Sequence, residues 1–342
     1  MTVLGVLLVI WLLFGFQKML CGNEKAFHVF DAKSTIPLRG LLAVMIVLHH
    51  FNTLYPQQYP WLNQAGFWGV PVCTLFFFFS GYGVTISYIK KGKAYLDHFL
   101  PKRLHKLLIP IIVVVIIHLF VLYLLDGFDT ETIFEGILHG VLILPHLWFA
   151  CALIVFYCAF YISFRFLSSI WLSIIVMGLF TIGYITVINM LGWGTYWISS
   201  IHGFVLGIMM ASIIRWVDVL FIRHRSAFVS CLPFFSILVL TYCLLGSLES
   251  FRLPAWGTLF YWQLPFIIYL FSGLVRISQC RLLFLSGNLS FEIYLVHVSV
   301  MMLLHPIISN GGVYFIASFL LTLVYAGILH IAQTRSFLTQ NS

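Results

Sequence analysis

Leu107-Leu-Ile-Pro-Ile-Ile-Val-Val-Val-Ile-Ile-His-Leu-Phe-Val-Leu-Tyr-Leu-Leu125 is a run of 19 residues without one charged side chain. A helix of about 20 apolar residues matches the ~30 Å hydrocarbon layer of a bilayer. The remainder of the 342-residue chain is of the same kind: 62% hydrophobic, 18% aromatic and 8% charged, with a mean hydropathy of +1.05. A soluble domain carries about 25% charged residues. No soluble fold of this length hides so much apolar surface, so the solvent is lipid. A cytosolic enzyme, a disordered chain and a secreted disulfide scaffold are excluded.

Working outward from this run, further apolar stretches fall near 3–20, 36–51, 66–89, 146–164, 168–190, 197–214, 227–246, 257–275, 288–307 and 313–333. Turn formers or charges separate them, as at Pro56–Pro60, Lys90–Lys93, Asp126–Glu135, Gly192–Gly194, Arg223–Arg225 and Gly311–Gly312. Only helices or closed barrels satisfy every backbone group in hydrocarbon. These runs are too long and too uniformly apolar for barrel strands. The expected fold is therefore all-α: a polytopic bundle of about eleven transmembrane helices. Its divisions are an N-terminal helix and linker (1–33), a membrane domain (34–335) and a tail (336–342).

The charges test this count. Basic residues gather in every second break, at Lys18 to Arg39, Lys90 to Lys106, Arg165, Arg215 to Arg225, Arg276 with Arg281, and Arg335. Of the 18 Lys and Arg residues, only Arg252 falls on the other side. Excess Lys and Arg mark cytoplasmic loops, so the net charge of +8 is orientation rather than nucleic-acid binding. The N-terminus is expected outside and the C-terminus in the cytoplasm. Asp126, Asp129, Glu131 and Glu135 make one outer loop acidic. The first run lacks a basic segment before it, which suits a retained reverse anchor rather than a cleaved signal. The seven cysteines form no CxxC pair and lie mostly in apolar runs, as small buried hydrophobes. No metal site is expected.

Ionisable groups in hydrocarbon are costly and tend to be functional. Arg39 and His50 stand eleven residues apart, about three turns plus ~20°, and so share one helix face with a rise of about 16 Å. They suit either a snorkelling Arg with a capping His or two ends of one site. Ser290, Tyr294 and His297 form a single stripe at i, i+4, i+7, as interhelical glue or as site residues. Glu292 points about 200° from Ser290 and needs its own partner. Lys102, Arg103, His105 and Lys106 suit a topological anchor with anionic lipid, or a seat for phosphate. His146 and Trp148 open the fifth span on the outer side, where an aromatic belt accounts for the Trp. His118 lies in mid-span and is expected to bond a neighbouring helix. The chain has no GxGxxG, P-loop, HExxH or GxSxG segment.

Five segments, in order, resemble the integral-membrane acyltransferase-3 family of bacterial O-acyltransferases. Arg39-Gly-Leu-Leu-Ala-Val-Met-Ile-Val-Leu-His-His50 resembles its R-x10-H helix, and Phe76-Phe-Phe-Phe-Ser-Gly-Tyr82 its FF-x-x-SGF/Y helix. Arg103-Leu-His-Lys106 is similar to its R-x-x-R element. His146-Leu-Trp-Phe149 and Gly287-Asn-Leu-Ser-Phe-Glu-Ile-Tyr-Leu-Val-His297 resemble its HLWF and S-x-x-IYL-x-H segments. The resemblance covers about residues 34–335. The span at 3–20 is additional to the family's ten-helix core. Lys106 stands where Arg is common, which keeps charge but loses the bidentate fork. Pro71 stands where the family often has an acidic residue, and no SGNH-type hydrolase domain follows the membrane core.

The resemblance implies transfer of an acetyl group from cytosolic acetyl-CoA to a hydroxyl of a surface polysaccharide or lipid-linked oligosaccharide, at the bacterial cytoplasmic membrane. It implies a co-substrate and no tightly bound cofactor. Its positions fall here on His50, Arg39, Tyr294 and His297 as catalytic candidates, with Arg39, Arg103, Lys106, Ser80 and Trp148 towards the acyl donor. His49, Ser290, Glu292 and His146 would be supporting residues. His50 would deprotonate the acceptor hydroxyl or carry the acyl group covalently, and Tyr294 or His297 would supply donors to the oxyanion. A glycan or lipid-intermediate exporter, and a bis-His haem protein using His49, His50 or His297, are the rival classes. The expected orientation is open to a direct check: a phosphatase reporter fused after Ser342 should be inactive and a fluorescent one bright. The opposite pattern would reverse the topology.

Overall fold

The computed structural model describes residues 35–54, 65–66, 68–125, 129–223 and 281–340. Within these the chain is helical: α1 (Thr35–Leu54), α2 (Gly69–Lys91), α3 (Phe99–Leu124), α4 (Thr130–Leu138), α5 (Trp148–Phe166) and α6 (Ile170–Met190). The short α7 (Tyr196–Ser199) leads into α8 (His202–Arg223), and α9 (Arg281–Asn288), α10 (Ser290–Leu304) and α11 (Gly311–Gln340) follow. Seven helical segments among the described residues are long and apolar enough to cross a membrane, eight if the bent pair α9–α10 is one span. The expected spans at 3–20, 227–246 and 257–275 lie outside the described residues. So do Lys18, Lys25, Arg252 and Arg276, and the total of eleven stays an expectation.

One expectation is corrected. The fourth span begins at Phe99, well before Leu107, so Lys102, Arg103 and Lys106 stand on the first two turns of α3. Their i, i+3 spacing puts Arg103 and Lys106 on one face. The tenth span, expected at 288–307, holds α10, and α9 before it meets α10 at 84°. Gly287 of α9 packs so closely on α1 that a methyl group there would collide with the Ile36 carbonyl, and Gly40 meets the Leu283 carbonyl in the same way. The chain presses α9 across α1 and then turns inward.

The acidic loop holds a helix of its own. Asp129 caps α4, accepting from the Glu131 N–H at 3.1 Å and the Thr132 hydroxyl at 2.5 Å. The Thr132 hydroxyl, with that N–H, holds its carboxyl below the usual range. At the opposite end of the bundle Arg165 pairs with Asp97 at 2.6 Å, tying the end of α5 to the α2–α3 connection.

Helix faces sort by solvent. Ile112, Ile116 and Phe120 form an exposed i, i+4, i+8 stripe on α3, the pattern of a lipid-facing surface. Phe77, Phe78, Phe156, Phe160, Phe164 and Phe204 are fully buried between α2, α5 and α8. By contrast α10 is buried almost all round from Ser290 to Met301. Helix α10 is the central post of the bundle, flanked by α1, α3 and α11.

Among the described residues, helices α2 and α8 form the most extensive pair. Small residues make it possible, since lipid gives no hydrophobic drive and association relies on close packing. A methyl group at Gly81 would strike the Phe204 carbonyl, one at Gly203 the Thr74 carbonyl, and one at Gly207 the Phe78 carbonyl. Gly83, two residues on, faces open space. Gly81→Leu should therefore sharply reduce the monodisperse peak in fluorescence-detected size-exclusion chromatography. Gly83→Ala should leave it unchanged or raise Tm slightly, because Ala is the better helix former by about 1 kcal/mol. Equal behaviour of the two variants would refute this packing.

Candidate active site

A cavity of about 680 Å³ opens at the basic end of the bundle. Its mouth gathers Arg39 from α1, Lys90 from α2, Arg103 and Lys106 from α3, and Arg215 from α8. Its deeper wall is apolar and aromatic, with Phe76, Phe149, Tyr157, Phe291 and Tyr294. Ser80 and Ser290 add hydroxyls to the lining.

The cations are held unequally. Arg103 is fixed: its Nη2 donates to the Tyr95 hydroxyl at 3.2 Å, and its guanidinium lies 5.7 Å from the Tyr157 ring centre. Cation–π contact suits the weakly hydrated guanidinium. Arg39 presents a buried Nε with no hydrogen-bond partner among the described residues. A buried N–H left without an acceptor is costly, and Arg39 is among the residues that line the cavity. Lys106 stands near Glu292, whose Oε1 receives the His330 Nδ1–H at 2.7 Å. That is the separate partner Glu292 required, and it comes from α11.

Beyond the aromatic wall stands a histidine cluster. Tyr294 joins the two regions: it lines the cavity, and its hydroxyl donates to the His146 backbone carbonyl. The ring centres of His50, His146 and His297 lie 4.8 to 5.8 Å apart. His50 comes from α1, His297 from α10 and His146 from the 3₁₀ turn Pro145–Leu147 before α5. The packing of α1 against α10 places the His297 Nε2 3.0 Å from the His50 Nδ1.

Proton positions follow from the acceptors. A carbonyl only accepts, so a ring nitrogen facing one carries hydrogen. His297 Nδ1 donates to the Ile293 carbonyl at 3.0 Å, which leaves its Nε2 as an acceptor. His50 Nδ1 lies 3.0 Å from the Ile46 carbonyl and therefore carries its proton, shared with His297 Nε2. The lone pair of neutral His50 is then on Nε2. These tautomers are assigned from the hydrogen-bond network. His146 is arranged the other way: Nε2 donates to the Leu295 carbonyl at 3.2 Å, and the buried Nδ1 has no partner among the described residues. Two imidazole lone pairs, His50 Nε2 and His146 Nδ1, are thus left without a hydrogen-bond donor in this network.

Other expected site residues fall into place around this core. His49 Nδ1 donates to the Ala65 carbonyl at 3.1 Å, an anchor for the chain after α1. His118 bonds the Ser299 hydroxyl at 2.9 Å, across α3 and α10 as its mid-span position required. Trp148 does not line the cavity. It packs among Phe77, Phe149, Tyr196 and Trp197, while its neighbour Phe149 takes the cavity wall. The oxyanion role expected of Tyr294 or His297 needs a donor that is free. Each has one donor in its neutral form, and both donors are already committed to backbone carbonyls. Lys90 and Arg215 escaped the sequence reading because both occupy breaks where orientation alone explains a cation. His146 was placed only in support, since nothing in its segment shows that the 3₁₀ turn carries it inward. No trio of His, Cys, Asp or Glu side chains among the described residues is arranged to hold a metal ion.

A cation-lined cavity, separated by Tyr294 from a cluster of oriented imidazoles, inside an all-helical membrane bundle, suits an integral-membrane enzyme of group transfer. Comparison with protein families agrees, since the acyltransferase domain of the acyltransferase-3 family matches residues 38–331. The chain belongs to that family. No curated protein and no solved structure gives a match. For acyl transfer, His297→Ala should lower kcat by about 10²-fold, the range of a positioned acid–base group, with KM for the acyl donor little changed. Steady-state kinetics would show it, and an unaltered kcat would remove His297 from any role in orienting His50.

Proposed function

We propose that this protein moves an acetyl group from acetyl-CoA, bound from the cytoplasmic side, to a hydroxyl of a surface or lipid-linked polysaccharide. The observation that carries this reading is one cavity lined by five cations and by Tyr294, whose hydroxyl bonds the backbone of His146 in the adjoining histidine cluster. An acyl-CoA has the matching profile: phosphates at one end, a slender arm, and a thioester at the tip. Arg103 and Lys106 take the phosphates as charge-assisted donors. The unpaired Nε of Arg39 serves the polar groups of the arm.

His50 Nε2 is the reactive atom. As a base it accepts the proton of the acceptor hydroxyl, and the oxygen attacks the thioester carbonyl. A C–O bond forms, the C–S bond breaks, and the departing thiolate takes the proton back from His50. If the acyl group instead rests on the histidine, the same nitrogen carries it. The Ile46 carbonyl and His297 fix this ring so that Nε2, not Nδ1, is presented.

In vivo, His50→Ala should abolish O-acetyl signals in the surface polysaccharide by NMR while the protein still inserts. His49→Ala should cost less, because its ring anchors backbone rather than reacting. Deletion and complemented strains give the reference spectra, and wild-type acetylation in the His50→Ala strain would sink the assignment. Arg103→Ala and Lys106→Ala should each raise the KM for acetyl-CoA about tenfold, the effect of losing one charge-assisted contact of ~1.4 kcal/mol. Unchanged donor dependence would return both to topological anchors.

A further inference from the structure

Beside the main cavity lies a second one of about 290 Å³, between α2, α6 and α8. The two cavities share lining residues at their boundary, among them Lys90 and Arg215. The side cavity is otherwise apolar, and its most prominent wall is Trp171, 59% exposed on the first turn of α6. Ile89 and Ile170 complete that wall, and Ser212 offers a hydroxyl.

This combination is specific in its chemistry. Two cations at a threshold favour a ligand that bears anionic groups there. An indole face with aliphatic neighbours favours a flat ring beyond it, since every nucleobase has a π-face and stacking on aromatic side chains tolerates base identity. Because the two cavities share Lys90 and Arg215, one ligand with its anion at that boundary spans both. We infer that the side cavity is the seat of the adenine ring of the acyl-CoA donor, stacked on Trp171, with Lys90 and Arg215 holding the phosphate beside the adenosine at the threshold.

The inference rests on acetyl-CoA as the donor and adds the nucleotide end of its binding mode. Division of labour follows. Arg103 and Lys106 take the phosphates next to the arm and Arg39 the arm itself, while Lys90 and Arg215 take the phosphate beside the adenosine and Trp171 its ring, so that a nucleotide-bearing thioester is selected over a bare one. The phospholipid alternative, a headgroup at the threshold with an acyl chain along Trp171, has no use for a stacking ring.

Full-length protein purified in detergent tests this by titration with acetyl-CoA, 3′-dephospho-acetyl-CoA and S-acetyl-pantetheine. Trp171→Ala should weaken acetyl-CoA binding about tenfold and leave S-acetyl-pantetheine unaffected, while Trp171→Phe restores most of the loss. Lys90→Gln and Arg215→Gln should narrow the preference for acetyl-CoA over its dephospho form. If wild type binds acetyl-CoA but Trp171→Ala binds it equally well, the side cavity is a lipid groove and the inference falls while the proposed donor stands. A variant that weakens both thioesters alike shows a structural effect and also overturns it. Failure of the wild type to bind acetyl-CoA removes the donor and the inference together.

Discussion

Hydrocarbon offers no hydrogen-bond partner, so every polar group that enters the bilayer must find one inside the protein. The arrangement of this chain depends on that constraint. Backbone groups close on themselves as helices, and many of the polar side chains that turn inward pair, with the Arg39 Nε and the His146 Nδ1 as exceptions. His297 with the Ile293 carbonyl, His50 with the Ile46 carbonyl and Thr85 with the Gly81 carbonyl all satisfy a donor within their own helices. The His50–His297 bond then adds a cross-link between α1 and α10. A bond made in such surroundings fixes more than position. It fixes which nitrogen carries hydrogen, and therefore where the free lone pair lies.

The same constraint explains why cations gather in one place. An unpaired guanidinium or ammonium in lipid is expensive, and a cavity lined in part by polar groups at one end of the bundle lowers that cost. Arg39, Arg103 and Lys106 sit on membrane helices but face this cavity. Arg103 is braced by Tyr95 and Tyr157, whereas the Arg39 Nε has no partner among the described residues. A site for an anion needs both kinds of residue: a rigid charge that orients, and a donor whose bond is completed by the ligand.

Close packing supports the site from behind. The Ser80-Gly81 pair shows how adjacent residues divide the work. Ser80 lines the cavity, while Gly81 lets the backbone of α8 come against α2. Helix α10 has no lipid-facing side along most of its length, so His297 at its middle is held on every flank. A ring held in this way loses little freedom when a substrate arrives, which is the condition for preorganised catalysis.

The sequence by itself determined the helical class, because hydropathy is a property of segments and needs no partner. It also determined that Arg39 shares a face with His50 and that Ser290, Tyr294 and His297 form one stripe, because helical periodicity is local. It could not say whether either stripe meets the other, since a polar stripe satisfied by glue looks the same as one lining a site. Tertiary structure decided that α10 stands at the centre against α1, and that a 3₁₀ turn carries His146 into the cluster. It also gave Trp148 to an aromatic core and Phe149 to the cavity, and brought Lys90 and Arg215 to one threshold from different helices. These are matters of helix rotation and neighbour choice. Both are set by interlocking glycines and aromatic rings far apart in the chain, and no local pattern encodes them.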